Sequence, residues 1–284
     1  MVKLSLESTV KLSSGNTIPQ LGYGVYQARG RECSDGVVEA LKSGYRHVDS
    51  AQAYRNEDLV GGALSTAKIP RSQVFLTTKY MPTHQEHSVA SVYSYLQKSL
   101  HKIDPESKEP YIDLMLIHAP WGGDEGRANN WAALAKAQKE GWIKDIGVSN
   151  FGVKHLEALP EPVPVINQIE LHPFCQQREI VAYCEKHNIK IQAYCPLVRG
   201  DAKRFSNKVL VGISEKHGKE PSQVLLRWSL QKGYIPLPKS VTPSRIKSNA
   251  DLYDFELDQG DMKALDGLDE GAKGACSWNP VDAD

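Results

Sequence analysis

Residues 46–57 read Arg46-His47-Val48-Asp49-Ser50-Ala51-Gln52-Ala53-Tyr54-Arg55-Asn56-Glu57. The run begins as a short buried strand, turns polar at Asp49 and restarts as a helix near Asn56, a residue suited to a helix N-cap. A carboxylate therefore ends a strand, and the phenol of Tyr54 lies on the loop that follows. Parallel α/β folds carry their chemistry at the carboxyl ends of strands, so this loop is a candidate active-site loop. Taken alone, it also fits an ordinary loop with a surface acid and a packing tyrosine.

Composition narrows the class of protein. The chain has 284 residues, of which 40% are hydrophobic and 24% charged, as is typical of a globular protein long enough for one large domain. The 34 basic residues balance the 34 acidic residues, so no global field recruits nucleic acid or an anionic membrane. We therefore expect a small molecule as the partner.

The cysteines and the N-terminal segment indicate where the protein works. Five cysteines, at spacings that match no zinc pattern, predict free thiols in a reducing compartment and no metal site. The N-terminal segment lacks the apolar core of a signal peptide, and no apolar run reaches roughly 18 residues. We expect a cytoplasmic protein, and nothing in the sequence requires more than a monomer.

Short apolar segments that alternate with helical patterns predict the fold. Residues 9–18 form a hairpin pattern without a crossover helix, which predicts a cap outside the main sheet. Eight strand candidates follow at 21–25, 46–48, 74–78, 112–117, 145–148, 165–169, 190–193 and 235–237. Helical patterns include 88–102, 129–140, 177–187, 221–231, 242–252 and 259–268. Alternating strands and helices specify parallel βαβ units, and eight of them predict an α/β fold of the (β/α)₈ TIM-barrel type.

Nothing marks a domain boundary, so residues 1–284 are interpreted as one barrel domain with short C-terminal helices and a tail. A doubly wound open sheet is the alternative architecture. That fold would require a Gly-x-Gly-x-x-Gly turn after the first strand. Gly22 and Gly24 have no third glycine at the required place, which favours the barrel.

Four titratable residues follow the predicted strands and should meet at one mouth of the barrel. They are Asp49 after the second strand, Tyr54 on its loop, Lys79 after the third strand and His118 after the fourth. Each has an ordinary structural explanation, but their convergence favours a functional site. A free tyrosine is a poor acid at neutral pH. A Lys79 ammonium held by Asp49 should lower the pKa of Tyr54.

His118 would then orient a bound carbonyl oxygen. An acid without a nucleophile or a metal-ligand set suggests carbonyl reduction with hydride from a cofactor.

The sequence resembles the aldo-keto reductase family nearly end to end, in particular its broad-specificity aldehyde and ketone reductases. The resemblance is carried by ordered motifs at 44–51 with Tyr54, 78–79, 113–118, 147–151, 167–173, 194–197 and 238–247. It implies that Asp49, Tyr54, Lys79 and His118 are the catalytic residues, with Tyr54 as the proton donor. The implied cofactor is NADPH, and the implied reaction is reduction of aldehydes and ketones to alcohols.

The resemblance also implies a cofactor site. Asp49 contributes to it, Ser149, Asn150 and Gln168 hydrogen-bond the nicotinamide carboxamide, and Tyr194 stacks on the nicotinamide ring. The remaining implied residues are Gly24, Val25 and Tyr26 at the pocket floor, Cys195, Pro196 and Leu197 along the pyrophosphate, and Lys239, Ser240, Val241, Thr242, Arg245 and Asn249 around the adenosine 2′-phosphate.

The residues themselves support this phosphate site. Lys239, Ser240 and Arg245 straddle the start of a predicted helix, where free N–H groups and the dipole favour an anion. Arg245 adds forked donors suited to phosphate.

Several positions depart from the family pattern. Ala119 replaces an aromatic residue after the histidine and should widen the pocket, although Trp121 could refill it. Ser248 replaces an acid near the adenine, and Cys195 replaces a serine. The segment after Leu197 is short, so any loop that folds over the pyrophosphate must be brief. The C-terminal tail is short too, which predicts a shallow, permissive site.

Two other functions stay open on the sequence. One is another barrel enzyme, either a phosphate-binding isomerase or a metal-dependent hydrolase, although His118 and Asp49 alone do not make a metal site. The other is a non-catalytic subunit of the same fold that binds nicotinamide cofactor and senses redox state. A complete set of four catalytic groups argues against the latter.

Overall fold

The predicted apolar segments form an eight-stranded parallel sheet, and the predicted hairpin forms a separate two-stranded sheet. The structure is a computed structural model that describes residues 3–83 and 87–283. Its strands are β1 (Thr9–Lys11), β2 (Thr17–Pro19), β3 (Tyr23–Gly24), β4 (His47–Asp49), β5 (Phe75–Tyr80), β6 (Ile112–Ile117), β7 (Ile143–Ser149), β8 (Ile166–Glu170), β9 (Lys190–Tyr194) and β10 (Ile235–Pro236). Strands β3 to β10 pair in chain order, so the predicted (β/α)₈ architecture is confirmed.

Two backbone hydrogen bonds join the ends of the sheet. Gly22 N donates to Pro236 O over 3.1 Å, and Gly24 N donates to Pro238 O over 3.0 Å. A Cβ on Gly22 would lie 2.5 Å from the side chain of Leu237 and 2.6 Å from that of His47. The absence of a side chain at Gly22 therefore lets the two edges meet and close the barrel.

Helices cover the outside of the barrel and bury its outer apolar face. They are α1 (Gly30–Lys42), α2 (Glu57–Ala67), α3 (Val89–Ile103), α4 (Gly123–Lys139), α5 (Val153–Glu157), α6 (Arg178–Lys186), α7 (Ala202–Phe205), α8 (Lys208–His217), α9 (Pro221–Gln231), α10 (Pro243–Ser248) and α11 (Gln259–Asp266). The α4 helix begins six residues before its predicted start, because its first turn is glycine and acid and shows no apolar period. In the described part of the chain, no helix has the length and hydropathy needed to cross a bilayer.

The hairpin closes the amino-terminal end of the barrel. Leu12 and Ile18 are buried there against Leu114, Ile166 and Ile235 from the barrel interior. Water is therefore excluded from this end, and the opposite end, where the strands terminate, is left for the cavity described below.

Asn56 lies directly before α2, which begins at Glu57, as the sequence predicted. The Asn56 side chain, however, does not cap the helix. Its amide donates to Val25 O over 2.9 Å and to Ala28 O over 3.1 Å, and its carbonyl accepts from Ser50 Oγ over 2.8 Å. Asn56 thus ties two neighbouring loops at the mouth together, which holds the loop carrying Tyr54 in place.

Candidate active site

The four titratable residues predicted from the strand ends meet at the carboxyl-terminal mouth. Asp49 ends β4, Tyr54 ends a short 3₁₀ helix after it, Lys79 lies in β5 and His118 directly follows β6. Lys79 Nζ lies 2.5 Å from Asp49 Oδ1, 2.7 Å from Ser50 O and 3.5 Å from Tyr54 Oη. The ammonium therefore bridges a carboxylate and the phenol.

Burial dominates the electrostatics of the Asp49–Lys79 pair. It raises the pKa of the Asp49 carboxyl and lowers the pKa of the Lys79 ammonium. The direct contact between the two groups opposes both shifts. Gln168 Nε2 also donates to Asp49 Oδ2 over 2.9 Å, so both carboxylate oxygens are satisfied and the pair is held rigidly.

The pKa of Tyr54 shifts in the direction opposite to the sequence prediction. Burial, together with the negative charge of Asp49, raises the Tyr54 pKa well above 10.0. The expected lowering by Lys79 is wrong because burial of the phenol and the Asp49 charge outweigh the ammonium, which lies 3.5 Å from Tyr54 Oη. Tyr54 is therefore a fully protonated phenol at neutral pH.

His118 is a neutral imidazole beside Tyr54. Burial and the Lys79 charge lower the pKa of His118 well below 6.5. Its ring packs edge-on against Tyr54, with centroids 5.5 Å apart, and against Trp278, with centroids 6.0 Å apart. No described protein group hydrogen-bonds its buried Nδ1 atom, so the protein imposes no tautomer through that atom.

The residues implied to hold the carboxamide form one hydrogen-bonded group beside this cluster. Ser149 Oγ donates to Gln168 O over 2.9 Å, and Asn150 Nδ2 donates to His118 O over 3.0 Å. Tyr194 Oη lies 2.7 Å from Asn150 Oδ1. Gln168 Nε2 donates hydrogen bonds to Asp49 and to Gln192. The side-chain carbonyl oxygen of Gln168 is therefore left to accept a hydrogen bond from a ligand.

A cavity of about 1300 Å³ opens over these groups and extends to the start of α10. It is large enough for a dinucleotide and a small substrate together, since small-molecule sites are typically about 300–1,000 Å³. The predicted residues that line it are Gly24, Tyr26, Asp49, Tyr54, His118, Ser149, Asn150, Gln168, Tyr194, Cys195, Pro196, Leu197, Lys239, Ser240, Arg245 and Asn249.

Four predicted site residues do not line the cavity. Lys79 is fully buried and contacts Tyr54 and Asp49. Val25 is buried in the core, Val241 is half-buried and Thr242 is exposed. The phosphate end also differs from expectation, because α10 has only six residues and its dipole is correspondingly small. The exposed charges of Lys239 and Arg245 are therefore the main cationic feature of this end.

Ala119 does not widen the pocket as predicted. Its side chain is completely buried and is absent from the cavity wall, which is formed instead by Trp121 and Trp278. Those two rings pack edge-on with centroids 5.2 Å apart.

The short C-terminal tail reaches the site and supplies residues that the sequence prediction missed. Ser277 and Trp278 line the cavity, and Trp278 O lies 2.7 Å from Tyr194 Oη. The tail therefore forms one wall of the site. Further lining residues without a sequence signal are Gln27, Ala53, Met81, Arg199, Gly200, Phe205, Glu220, Ser222, Leu237 and Ser244. Ser248, which the sequence analysis places near the adenine, also lines the cavity.

The closed barrel and the buried groups at its mouth define the class of protein, a (β/α)₈-barrel oxidoreductase. More particularly, the chain belongs to the aldo-keto reductase family. The family model described as Aldo/keto reductase family matches residues 21–270. Members of this family use NADP(H), so the predicted class of enzyme and its cofactor are confirmed.

Individual relatives match over nearly the whole chain. Methylglyoxal reductase DkgA of Escherichia coli (strain K12) is 41% identical over 270 residues, which cover 94% of this chain and 95% of that protein. Glyoxal reductase of Bacillus subtilis (strain 168) is 40% identical over 270 residues, with 94% of both chains covered. The solved structure of a Gox0644 mutant in complex with NADPH has a TM-score of 0.88 and 38% identity, and the match covers 98% of this chain and 99% of that one.

Proposed function

We propose that this protein reduces aldehydes and ketones to alcohols with NADPH and that Tyr54 is the general acid. The observation that carries the proposal is the contact of Tyr54 Oη with Lys79 Nζ at 3.5 Å, inside a cluster that opens on one cavity. When bound, NADPH supplies the hydride. The protein's own task is to hold the carbonyl carbon toward it and to deliver a proton to the carbonyl oxygen.

The raised pKa of Tyr54 is compatible with this role. A phenol that stays protonated at neutral pH is ready to donate, and an alkoxide is a much stronger base than a phenolate. Proton transfer therefore remains favourable when negative charge develops on the substrate oxygen. Lys79 then stabilises the phenolate left behind, and Asp49 holds Lys79 in place.

His118 would orient the substrate. A neutral ring donates one N–H, and the lowered pKa of His118 keeps it neutral. A carbonyl oxygen placed between His118 and Tyr54 would accept from both, which fixes its direction and stabilises its developing charge.

The residues along the cavity fit a bound NADPH. Tyr194 and the amide groups of Asn150 and Gln168 lie beside the catalytic cluster, where a nicotinamide must sit for hydride transfer. Lys239 and Arg245 line the distant end, and neither takes part in an ion pair described for residues 3–83 and 87–283, whereas the neighbouring Lys247 pairs with Glu39. Two unpaired cations suit a 2′-phosphate.

Small aldehydes are the first substrates to test. The two relatives named for methylglyoxal and glyoxal reduction suggest compact dicarbonyl compounds. The aromatic rings of Tyr26, Trp121 and Trp278 line the cavity, and Trp278 packs edge-on against His118, which favours a small or flat carbonyl compound over a bulky one.

The test is Tyr54→Phe, which removes the proton donor and keeps the ring. We expect kcat for methylglyoxal reduction to fall by about 10²–10⁴, the usual effect of losing a general acid, while NADPH affinity measured by fluorescence changes little. Activity within a few-fold of the unmodified enzyme would remove Tyr54 from the mechanism. Failure of the unmodified enzyme to consume NADPH with any of a panel of aldehydes would favour the non-catalytic, redox-sensing alternative.

A further inference from the structure

Two glutamines lie side by side in the barrel interior, directly behind the catalytic cluster. Gln168 of β8 and Gln192 of β9 are partners in the register of these two parallel strands. Gln168 is 2% exposed and lines the cavity, whereas Gln192 lies deeper and has no exposed surface. Burial of an amide without hydrogen-bond partners is costly, so the role of Gln192 follows from the partners that it has.

The side-chain amide of Gln168 is held at two points. Its Nε2 atom donates to Asp49 Oδ2 over 2.9 Å and to Gln192 Oε1 over 2.9 Å. The reverse orientation of this amide would bring its carbonyl oxygen against two acceptor oxygens. A single bond to Asp49 would leave the amide able to turn about that contact, whereas the second bond fixes the amide plane. Gln192 thus determines how Gln168 faces the cavity.

Gln192 is itself oriented from behind by a buried histidine. Gln192 Nε2 lies 3.5 Å from His47 Nε2, and His47 Nε2 lies 3.1 Å from Thr77 Oγ1. Burial lowers the pKa of His47 to about 3, so the ring is neutral and one of its nitrogens is an acceptor. With the Gln192 amino group toward His47, the Gln192 carbonyl oxygen faces Gln168. The reverse orientation would oppose two amino groups at Gln168.

We propose that Gln192 is a positioning residue for the cofactor. It fixes the Gln168 amide so that the Gln168 carbonyl oxygen is presented to the amide N–H of the nicotinamide carboxamide. The inference rests on the proposed function, which places the nicotinamide beside the catalytic cluster. Gln192 acts only through Gln168. Because Gln168 also donates to Asp49, the same amide connects the cofactor site to the Asp49–Lys79 ion pair.

A purely structural role for Gln192 would have different consequences. Its hydrogen bonds would then stabilise the barrel, and their loss would lower the free energy of unfolding without changing which part of the cofactor is bound well. A positioning role changes the affinity for the nicotinamide half alone, and the change depends on Gln168. Binding measurements therefore separate the two roles.

Gln192→Met removes the acceptor and keeps a side chain of similar length. We expect the Kd of NADPH, titrated by fluorescence without a carbonyl substrate, to rise about three- to tenfold, the usual effect of losing one hydrogen bond. The Kd of adenosine 2′,5′-bisphosphate, which lacks the nicotinamide, should not change. Gln192→Leu lacks the acceptor too and replaces this variant if it does not fold.

Gln20→Met is the matched control for the loss of a buried glutamine. Gln20 is 6% exposed, donates to Leu230 O and Tyr234 O, and does not line the cavity. This variant should be less stable to urea and should leave the Kd values of both ligands unchanged.

A conservative variant and a double variant complete the test. Burial favours the neutral form of a carboxyl group, so Gln192→Glu should offer a carbonyl oxygen to Gln168 and an O–H to His47, and should bind NADPH as the unmodified protein does. In a Gln168→Met background, Gln192→Met should weaken NADPH binding no further, because the two residues act as one unit.

An unchanged Kd of NADPH in Gln192→Met would overturn the proposal, as would an equal loss with and without Gln168. Binding is measured without turnover, so failure here is distinguishable from failure of the protein to reduce carbonyl compounds.

Discussion

Lys79 and Asp49 form a fully buried ion pair directly beneath the proposed acid, with Nζ 2.5 Å from Oδ1. Breaking one side of such a pair leaves an uncompensated charge in the protein interior, which typically costs about 3–5 kcal/mol. The pair therefore links the stability of the barrel to the proposed chemistry at Tyr54.

The ion pair predicts a non-additive loss of stability. Asp49→Leu should lower the free energy of unfolding, measured by urea denaturation, by about 3–5 kcal/mol. The double variant Asp49→Leu with Lys79→Met should recover much of that loss, because no lone charge remains. Lys136→Gln, which breaks the exposed pair with Glu140, is the matched control and should change little. Equal losses in the single and double variants would show that the buried charge is not the cause.

The shifted pKa values of Tyr54 and His118 predict a flat pH profile for reduction. The Tyr54 pKa lies well above 10.0, so the phenol is protonated at every pH below that. The His118 pKa lies well below 6.5, so the ring is neutral at every pH above that. We expect kcat/KM for an aldehyde, at saturating NADPH, to stay level from pH 6.5 to 10.0. A descending limb with a midpoint inside this range would contradict the raised Tyr54 pKa.

The exposed Lys239 and Arg245 cations at the distant end of the cavity predict a preference for NADPH over NADH. A hydrogen bond to a charged group contributes roughly 1.5–3 kcal/mol, so Arg245→Ala should lower kcat/KM for NADPH by about ten- to a hundredfold. Efficiency with NADH, which lacks the phosphate, should change far less. Lys247→Ala is the matched control, because Lys247 pairs with Glu39 and does not line the cavity. The preference for NADPH should also shrink as the salt concentration rises. Equal use of both cofactors by the unmodified enzyme would contradict the preference.

The tail residue Trp278, and not Ala119, is predicted to set the size of the substrate. Trp278→Ala removes a ring that packs on Trp121 and His118, so kcat/KM for an aromatic ketone should rise several-fold relative to that for methylglyoxal. Ala119→Trp, placed in the fully buried interior, should instead lower stability by about 1–3 kcal/mol through overpacking. A change in substrate preference in the Ala119 variant without loss of stability would reverse this assignment.

Much of the fold and of the site was determined by the sequence itself. Short apolar segments alternating with helices specify parallel strands, and parallel strands carry their carboxyl ends to one mouth. Asp49, Lys79 and His118 could therefore be placed together without any knowledge of side-chain packing. The Gly24 and Lys239 segments, at opposite ends of the chain, also line one cavity, because the barrel closes its first strand against its last.

Only the tertiary structure decided which side chains face the cavity and what their surroundings do to them. The pKa of Tyr54 depends on burial by the whole mouth and on the Asp49 charge, which outweigh a single neighbouring ammonium. The tail joins Glu170 across 106 residues of sequence through backbone N–H groups, and such groups carry no residue-specific signal. Long-range packing of this kind leaves no periodic pattern in the sequence. In strands and helices, by contrast, the side chains that share a face repeat every two or 3.6 residues, which gives the sequence a recognisable pattern.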